Sequence, residues 1–293
     1  MQIDGNAKFD VVVCGSLHLD IVVQAPALPK LDETAVGKAW EKVCGGKGGN
    51  QAVQAARAGA ATAMIGRIGD DDFGRALLAN LAASNVDTSA VTIDHVCGSG
   101  MSVAILLDSG DYGAVIVSGS NLGMDASKIE QTFSGLGGAK VLILQNEVPD
   151  IVNAAAASAA RRSGAVVVLN AAPARILSAE LLNAVDVLVV NRVEAKDMSG
   201  QPVSDRLSAM AALPSLAGLN RSVVITLGGG GLVVGQPGKE PVFIGALPVK
   251  VTSTHGAGDC FVGMLAAQLA RDHDLIEACH AANRAAAAHV SRI

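Results

Sequence analysis

Aromatic side chains are scarce in this sequence: Phe, Tyr and Trp make up 2% of its 293 residues, with one Trp and one Tyr. Such a chain lacks the stacking platforms that hold single-stranded nucleic acid. It also has few side chains with which to sandwich a nucleobase. Charge is sparse as well, at 17% of residues, with a net charge of −5 and no basic block. Neither nucleic acid nor an anionic membrane surface is an expected partner. No run of about 18 uninterrupted apolar residues occurs, so no spanning helix is expected. The start, Met1-Gln2-Ile3-Asp4-Gly5-Asn6, has neither the basic region nor the apolar stretch of a signal peptide. Five cysteines, odd in number and widely spaced, form no CxxC pair. They point to reduced thiols in a cytoplasmic protein rather than to a disulfide framework or a metal cluster.

Several catalytic motifs are absent too. No GxSxG elbow is present, which disfavours a serine hydrolase. The six histidines show no HExxH or paired metal spacing. Gly69-Asp70-Asp71-Asp72-Phe73-Gly74 clusters carboxylates without EF-hand spacing and reads as a turn and helix start. Gly45-Gly46-Lys47-Gly48-Gly49-Asn50-Gln51 is not a Walker A loop, because Lys47 is followed by Gly48 rather than Ser or Thr.

What the chain does have is apolar residues, at 50% of its length, arranged in short β-branched runs: 11–14, 141–144, 166–169, 187–190 and 223–225. Continuous apolarity over so few residues suits strands buried on both faces. Ala- and Leu-rich helical stretches at 151–163, 178–185 and 204–218 lie between several of them. This alternation predicts an α/β fold, a largely parallel sheet covered by helices. No linker is visible, so residues 1–293 read as one unit. Segments 17–45 and about 97–120 break the alternation with short strand-like pieces and are expected to form a small accessory sheet over one edge.

Four stretches carry polar groups where chemistry is expected. In Ser253-Thr254-His255-Gly256-Ala257-Gly258-Asp259, two glycines and a carboxylate precede a helical stripe at Phe261, Met264, Leu265 and Leu269. A helix N-terminus with free N–H groups is an anion site, and an Asp there can accept a hydroxyl proton during phosphoryl transfer. The plainer alternative is a glycine turn with an Asp cap. Gly45 to Gln51 forms either a nest for a polar ligand or a turn capping a helix. Gly15-Ser16-Leu17-His18-Leu19-Asp20 follows the first strand, where open α/β sheets bind ligands; Asp20 there either accepts bonds from sugar hydroxyls or is merely solvated. Asn191 and Glu194 follow another strand, either reaching phosphate and hydrated Mg²⁺ or forming a helix N-cap.

Together these stretches resemble the PfkB/ribokinase family of carbohydrate kinases, most nearly its ribokinase members. Gly45-Gly46-Lys47-Gly48-Gly49-Asn50-Gln51-Ala52 is similar to the N-terminal signature and Thr254-His255-Gly256-Ala257-Gly258-Asp259 to the C-terminal one. Asn191-Arg192-Val193-Glu194 matches the NxxE motif, and Thr226-Leu227-Gly228 the nucleotide-phosphate strand end. Residues 145–149 and 169–175 also read as ribokinases do. The resemblance implies a Rossmann-like fold with a small β-sheet lid that can serve as a homodimer clasp.

It further implies transfer of the ATP γ-phosphoryl group to a hydroxymethyl group of a small sugar, ribose first. His18, Asp20, Gly46, Lys47, Asn50 and Glu147 would bind the sugar. Asn191, Thr226, Gly228 and Asn283 would line the ATP site, and Glu194 would organise Mg²⁺ through water. Gly256, Ala257 and Gly258 would form an anion hole beside the base Asp259. The chain departs from the family at three positions. Ribokinases usually have Asn where His18 stands, and the family often has Asp for Ser253 and Thr for His255. The Ser253 position, and a loop expected beyond Ile293, would hold a monovalent cation, so the departures leave K⁺ open. A nucleoside kinase on the same fold, and a non-catalytic sugar- or nucleotide-binding protein, are the alternatives.

Overall fold

In the computed structural model, which describes residues 7–109, 112–218 and 220–291, the β-branched runs form the interior of one large sheet. Strand β1 (Phe9–Cys14) shows why. Val11 and Val13 face one layer of the core, Val12 and Cys14 the other, and all four are fully buried. A strand with no polar face must be covered by helices on both sides. The same alternation runs through β8 (Ala139–Gln145) and β9 (Val166–Asn170). The sheet also contains β4 (Thr62–Gly69), β5 (Val86–Asp94), β10 (Val187–Asn191), β11 (Ser222–Thr226), β12 (Leu232–Gly235) and β13 (Val242–Ile244), in the spatial order β13-β12-β11-β10-β9-β8-β1-β4-β5. From β5 to β11 every pairing is parallel, and β12 and β13 add an antiparallel edge.

Helices α1 (Lys47–Arg57), α2 (Asp72–Ala83), α8 (Ala257–Leu269) and α9 (Leu275–Val290) cover one face. The other is covered by α3 (Ala126–Gly135), α4 (Asp150–Arg162), α5 (Ala179–Ala184), α6 (Arg192–Ser199) and α7 (Arg206–Ala217). The helical stretches at 151–163, 178–185 and 204–218 appear as α4, α5 and α7. Asp71 caps α2 by accepting the Gly74 N–H at 2.7 Å, so the acidic run is the turn and helix start its spacing implies. No helix among the described residues is long and apolar enough to cross a membrane.

Segments 17–45 and 97–120 contain the strands of a separate small sheet: β2 (His18–Ala25), β3 (Ala39–Gly45), β6 (Gly100–Leu107) and β7 (Tyr112–Val117), in the order β3-β2-β6-β7. The β2–β6 pairing is parallel and the outer two are antiparallel. The chain enters this sheet directly from β1 through Gly15, Ser16 and Leu17, and a buried amide pins the crossing. Asn121 accepts the Leu17 N–H at 2.9 Å and donates to the Leu17 carbonyl at 2.9 Å and the Ser118 carbonyl at 2.8 Å. Replacing Asn121 with Leu keeps the volume and strands both Leu17 groups. Each unsatisfied buried group costs about 1–3 kcal/mol, so Asn121→Leu is expected to lower the urea midpoint by the equivalent of about 3 kcal/mol, with an unchanged slope in circular-dichroism unfolding.

Candidate active site

The connector after β1 sets the first half of the site. The Ser16 carbonyl accepts the Gly49 N–H at 2.9 Å. A Cβ on Gly48 would lie 2.6 Å from the Ser16 nitrogen and 2.7 Å from the Gly15 carbonyl carbon. Only glycine lets the start of α1 lie this close to the connector. Helix α1 has no capping side chain of its own, and Gly46 enters it with φ 81°. Glu147, in the loop after β8, supplies the missing acceptor: its Oε2 takes the Lys47 N–H at 2.9 Å and the Ser16 hydroxyl at 2.5 Å. A carboxylate also suits the positive end of a helix. The His18 ring, buried on β2, holds Nδ1 3.8 Å from the same oxygen. Asp20 faces Ser102 across the β2–β6 pairing and accepts its hydroxyl, while Gly45 near the end of β3 leaves room for the carboxylate.

The second half is the start of α8. Gly256 adopts left-handed backbone, φ 71°, immediately before the helix. The Ala257 N–H returns to the Thr254 carbonyl at 3.3 Å. Asp259, in the first turn, is 8% exposed. Each of its oxygens accepts one amide from α1: Oδ2 from Asn50 at 3.0 Å and Oδ1 from Gln51 at 2.9 Å. That reach depends on Gly263. A Cβ there would meet Gln54 Cβ at 2.7 Å, the Ala55 nitrogen at 2.8 Å and the Gln51 carbonyl at 2.8 Å. Burial pushes the Asp259 carboxyl above the usual aspartate range. The Lys47 charge and the two amides pull against it, and Glu147 adds to the rise.

A cavity of about 220 Å³ opens between these parts, lined by Lys47, Asn191, Glu194, Thr226, Gly256, Gly258 and Asp259 among others. Asn191 and Thr226 are paired at the carboxyl ends of β10 and β11. Asn191 begins α6 with a reciprocal cap: its Oδ1 accepts the Val193 and Glu194 N–H groups, and Glu194 Oε2 accepts the Asn191 N–H at 2.7 Å. The helix-cap reading of these two residues therefore holds, and both still face the cavity. Burial raises the Glu194 pKa, opposed by the Asn191 N–H and the Lys47 charge.

Other sequence candidates lie outside the cavity wall. His18, Asp20, Gly46 and Glu147 gather at the β1–β2 connector. Gly228 sits in an exposed turn after β11 with φ 60°. Asn283 on α9 donates to the Gly245 carbonyl at 2.9 Å. Ser253 is exposed, and its hydroxyl accepts the His255 N–H at 3.2 Å. Asn50, matched by resemblance to a sugar contact, spends its Nδ2 on Asp259. Ser16, Gln51 and Gly263 are among the residues important to the geometry that have no role in the sequence analysis, as are Gly48 and Asn121. The first two lie within quoted motifs, but their partners are distant in the chain.

Residues 8–293 match the pfkB family carbohydrate kinase profile. The chain belongs to this family. Ribokinase of Haemophilus influenzae is 34% identical over 283 residues, spanning 96% of this chain and 92% of the relative. Mus musculus ribokinase is 37% identical over 263 residues, 89% of this chain and 81% of the relative. The solved structure of Arabidopsis thaliana ribokinase complexed with ribose and ATP is similar with a TM-score of 0.89 at 28% identity, covering 97% of this chain and 93% of that one.

In this kinase the α1–α8 approach is directly testable. Gly263→Ala must separate the two helices by about 1 Å, a displacement that can cost about 100-fold in rate when it misplaces a reacting group. The expected result is a loss of about that size in kcat, with about 1–3 kcal/mol of overpacking strain visible in urea unfolding.

Proposed function

We propose that this kinase transfers the γ-phosphoryl group of ATP to a hydroxymethyl group of a small sugar, ribose first, with Asp259 as the base. One observation carries the assignment of the base. Asp259 is a buried carboxylate whose two oxygens are each held by a neutral amide, at the N-terminus of α8 and on the wall of the cavity that Lys47 and Glu194 share. The sugar hydroxyl gives its proton to Asp259 as its oxygen attacks the γ-phosphorus in line with the departing ADP. Charge developing on the transferred group meets the Gly256–Gly258 backbone at the positive helix end. His18, Asp20, Gly46, Lys47, Asn50 and Glu147 bind the sugar. Asn191, Thr226, Gly228 and Asn283 serve the nucleotide.

Glu194 fits a role toward Mg²⁺. It is a cavity-wall carboxylate with Oε2 already engaged by backbone, suited to organising a hydrated ion through its waters. When bound, the ion neutralises charge on the phosphate oxygens. Ser253, at the monovalent-cation position, presents an exposed neutral hydroxyl.

The small sheet is proposed as the lid over the sugar. Trp40 and Val115, which the strand register places on one face of it, are 65% and 69% exposed, which supports a homodimer formed through this sheet. Sedimentation equilibrium is expected to give twice the chain mass, and Val115→Glu to give the monomer. A cytoplasmic location completes this reading. The five cysteines are free thiols, and burial pushes Cys14 and Cys279 up to about 12, which keeps those two unreactive.

The assignment is tested by ADP release with ribose, other aldoses, ketoses and adenosine. Preferred turnover of a sugar is expected. Preferred phosphorylation of adenosine would replace the sugar reading with a nucleoside kinase, and sugar binding without turnover would make the protein non-catalytic. Asp259→Asn should lose about 10²–10⁴-fold in kcat while calorimetry still detects binding of an ATP analogue. Because the base works only when ionised and its pKa is raised, kcat should fall on the acid side at a pH above the ordinary aspartate value.

A further inference from the structure

Gln51 has no part in the mechanism above, yet its side chain is spent on the base. It is fully buried between α1 and α8, and Asp259 is the single protein partner of its side chain among the described residues. A residue that only filled this space would do so at lower cost with an apolar side chain, since its Oε1 is buried without a protein partner. The donor at Nε2 is the part of Gln51 that the structure uses. Asn50 differs from it in position. It is half-buried, and its Nδ2 donates to the other carboxylate oxygen. Two neutral amides thus hold the two oxygens without adding charge, one from inside the protein and one from the side nearer solvent.

We propose that Gln51 is a positioning residue for the proton transfer: it ties Asp259 Oδ1 to the interior and leaves Oδ2, on the Asn50 side, to take the proton of the sugar hydroxyl. The inference rests on Asp259 being the base. In the step, the hydroxyl O–H bond breaks and its proton forms a bond to Oδ2. The sugar oxygen bonds to the γ-phosphorus, and the bond from that phosphorus to the bridging oxygen breaks, its electron pair leaving with ADP. Gln51 takes no proton and donates one hydrogen bond throughout. That bond favours the charged carboxylate over the neutral acid, so it also keeps the base ionised against the effect of burial.

The charged groups around Asp259 are Lys47 at the start of α1, Glu147 after β8 and Glu194 on α6 across the cavity. His289 of α9 lies beside Gly256, with its Nε2 on the His255 carbonyl at 2.9 Å. None of these groups contacts the Gln51 amide, so a change confined to residue 51 reports on the Gln51–Asp259 bond.

The test compares kcat–pH profiles of the full chain with ATP and its best sugar for wild type, Gln51→Met, Gln51→Glu and Asp259→Asn. Gln51→Met keeps the volume and loses the donor. It should lower kcat about tenfold near neutrality, leave both KM values within about threefold, and move the acid limb upward by about one pH unit, the size expected for one lost hydrogen bond to a charged group. Gln51→Glu places a second carboxyl on Oδ1 and should move the limb further in the same direction. Should Gln51→Met fail to fold, Gln51→Glu carries the same readout. A residue that only packs would lower the active fraction equally at every pH and leave the limb in place, and that result overturns the proposal. Asp259→Asn separates the two possible failures. If it keeps turnover, the base assignment falls and the role of Gln51 with it. If it is inactive while the limb of both Gln51 variants stays put, only the role of Gln51 falls.

Discussion

The close approach of α1 to α8 is the constraint on which the site depends. The two helices belong to segments about two hundred residues apart, and each brings half of the chemistry. Helix α8 carries the carboxylate and the open N-terminus, and α1 carries the amides and Lys47. At Gly263 the helices meet with no room for a single methyl group. Interiors this tightly packed do not deform continuously, so the position of Asp259 relative to Asn50 and Gln51 is fixed by backbone contact rather than by side-chain adjustment. The apolar sheet beneath supports this arrangement. Val11, Val13, Val141 and Ile143 are completely buried on the face that carries both helices.

Function is set against stability at this point. A carboxyl whose pKa is raised in the fold favours its protonated form there. Its stabilising contribution is complete below the unfolded value and is lost as pH rises through the folded one. Asp259 therefore opposes folding at the pH where it is most useful as a base. Glu194 carries the same liability for the same reason, burial. Lys47 is the shared compensation, since its charge lowers the pKa of both carboxyls. One cation on the wall of the shared cavity thus favours ionisation of both acids while neutral donors hold their oxygens.

Local pattern carried much of this into view from the sequence, and tertiary contact accounts for the remainder. Runs such as 166–169 could be read as buried strands because every residue is apolar and the run is short. Asn191 and Glu194 could be read both as a helix cap and as cavity groups, and they are both, because a capping box leaves one face of each side chain toward the strand ends. The parallel pairing of β2 with β6 was not legible, because nothing in residues 18–25 announces a partner at 100–107. Gly263 and Gln51 were hidden for a similar reason. A glycine in an Ala-rich helix and a Gln beside an Asn look ordinary until the other helix lies against them. Asn283 and Gly228 are named through the resemblance, and their local settings, a hydrogen bond to the Gly245 carbonyl and an exposed turn after β11, carry no signal of their own.

Glu147 links the two sheets in a way that neither sheet explains alone. Helix α1 starts without a side-chain cap, so its first N–H groups need an acceptor from elsewhere. Glu147 gives that acceptor from the end of β8, and the same oxygen takes the Ser16 hydroxyl and faces the His18 ring at the root of the small sheet. Any movement of β2 about the Leu17 crossing changes the surroundings of the group that caps α1. Helix α1, through Asn50 and Gln51, in turn holds the base. The placement of the small sheet and the orientation of Asp259 are therefore joined: the Ser16 hydroxyl and the Lys47 N–H both bond to Glu147, and helix α1 carries the link on through Asn50 and Gln51 to Asp259. Asn121 fixes the residue between Ser16 and His18 by satisfying both backbone groups of Leu17, so the connector cannot shift without stranding buried polar groups.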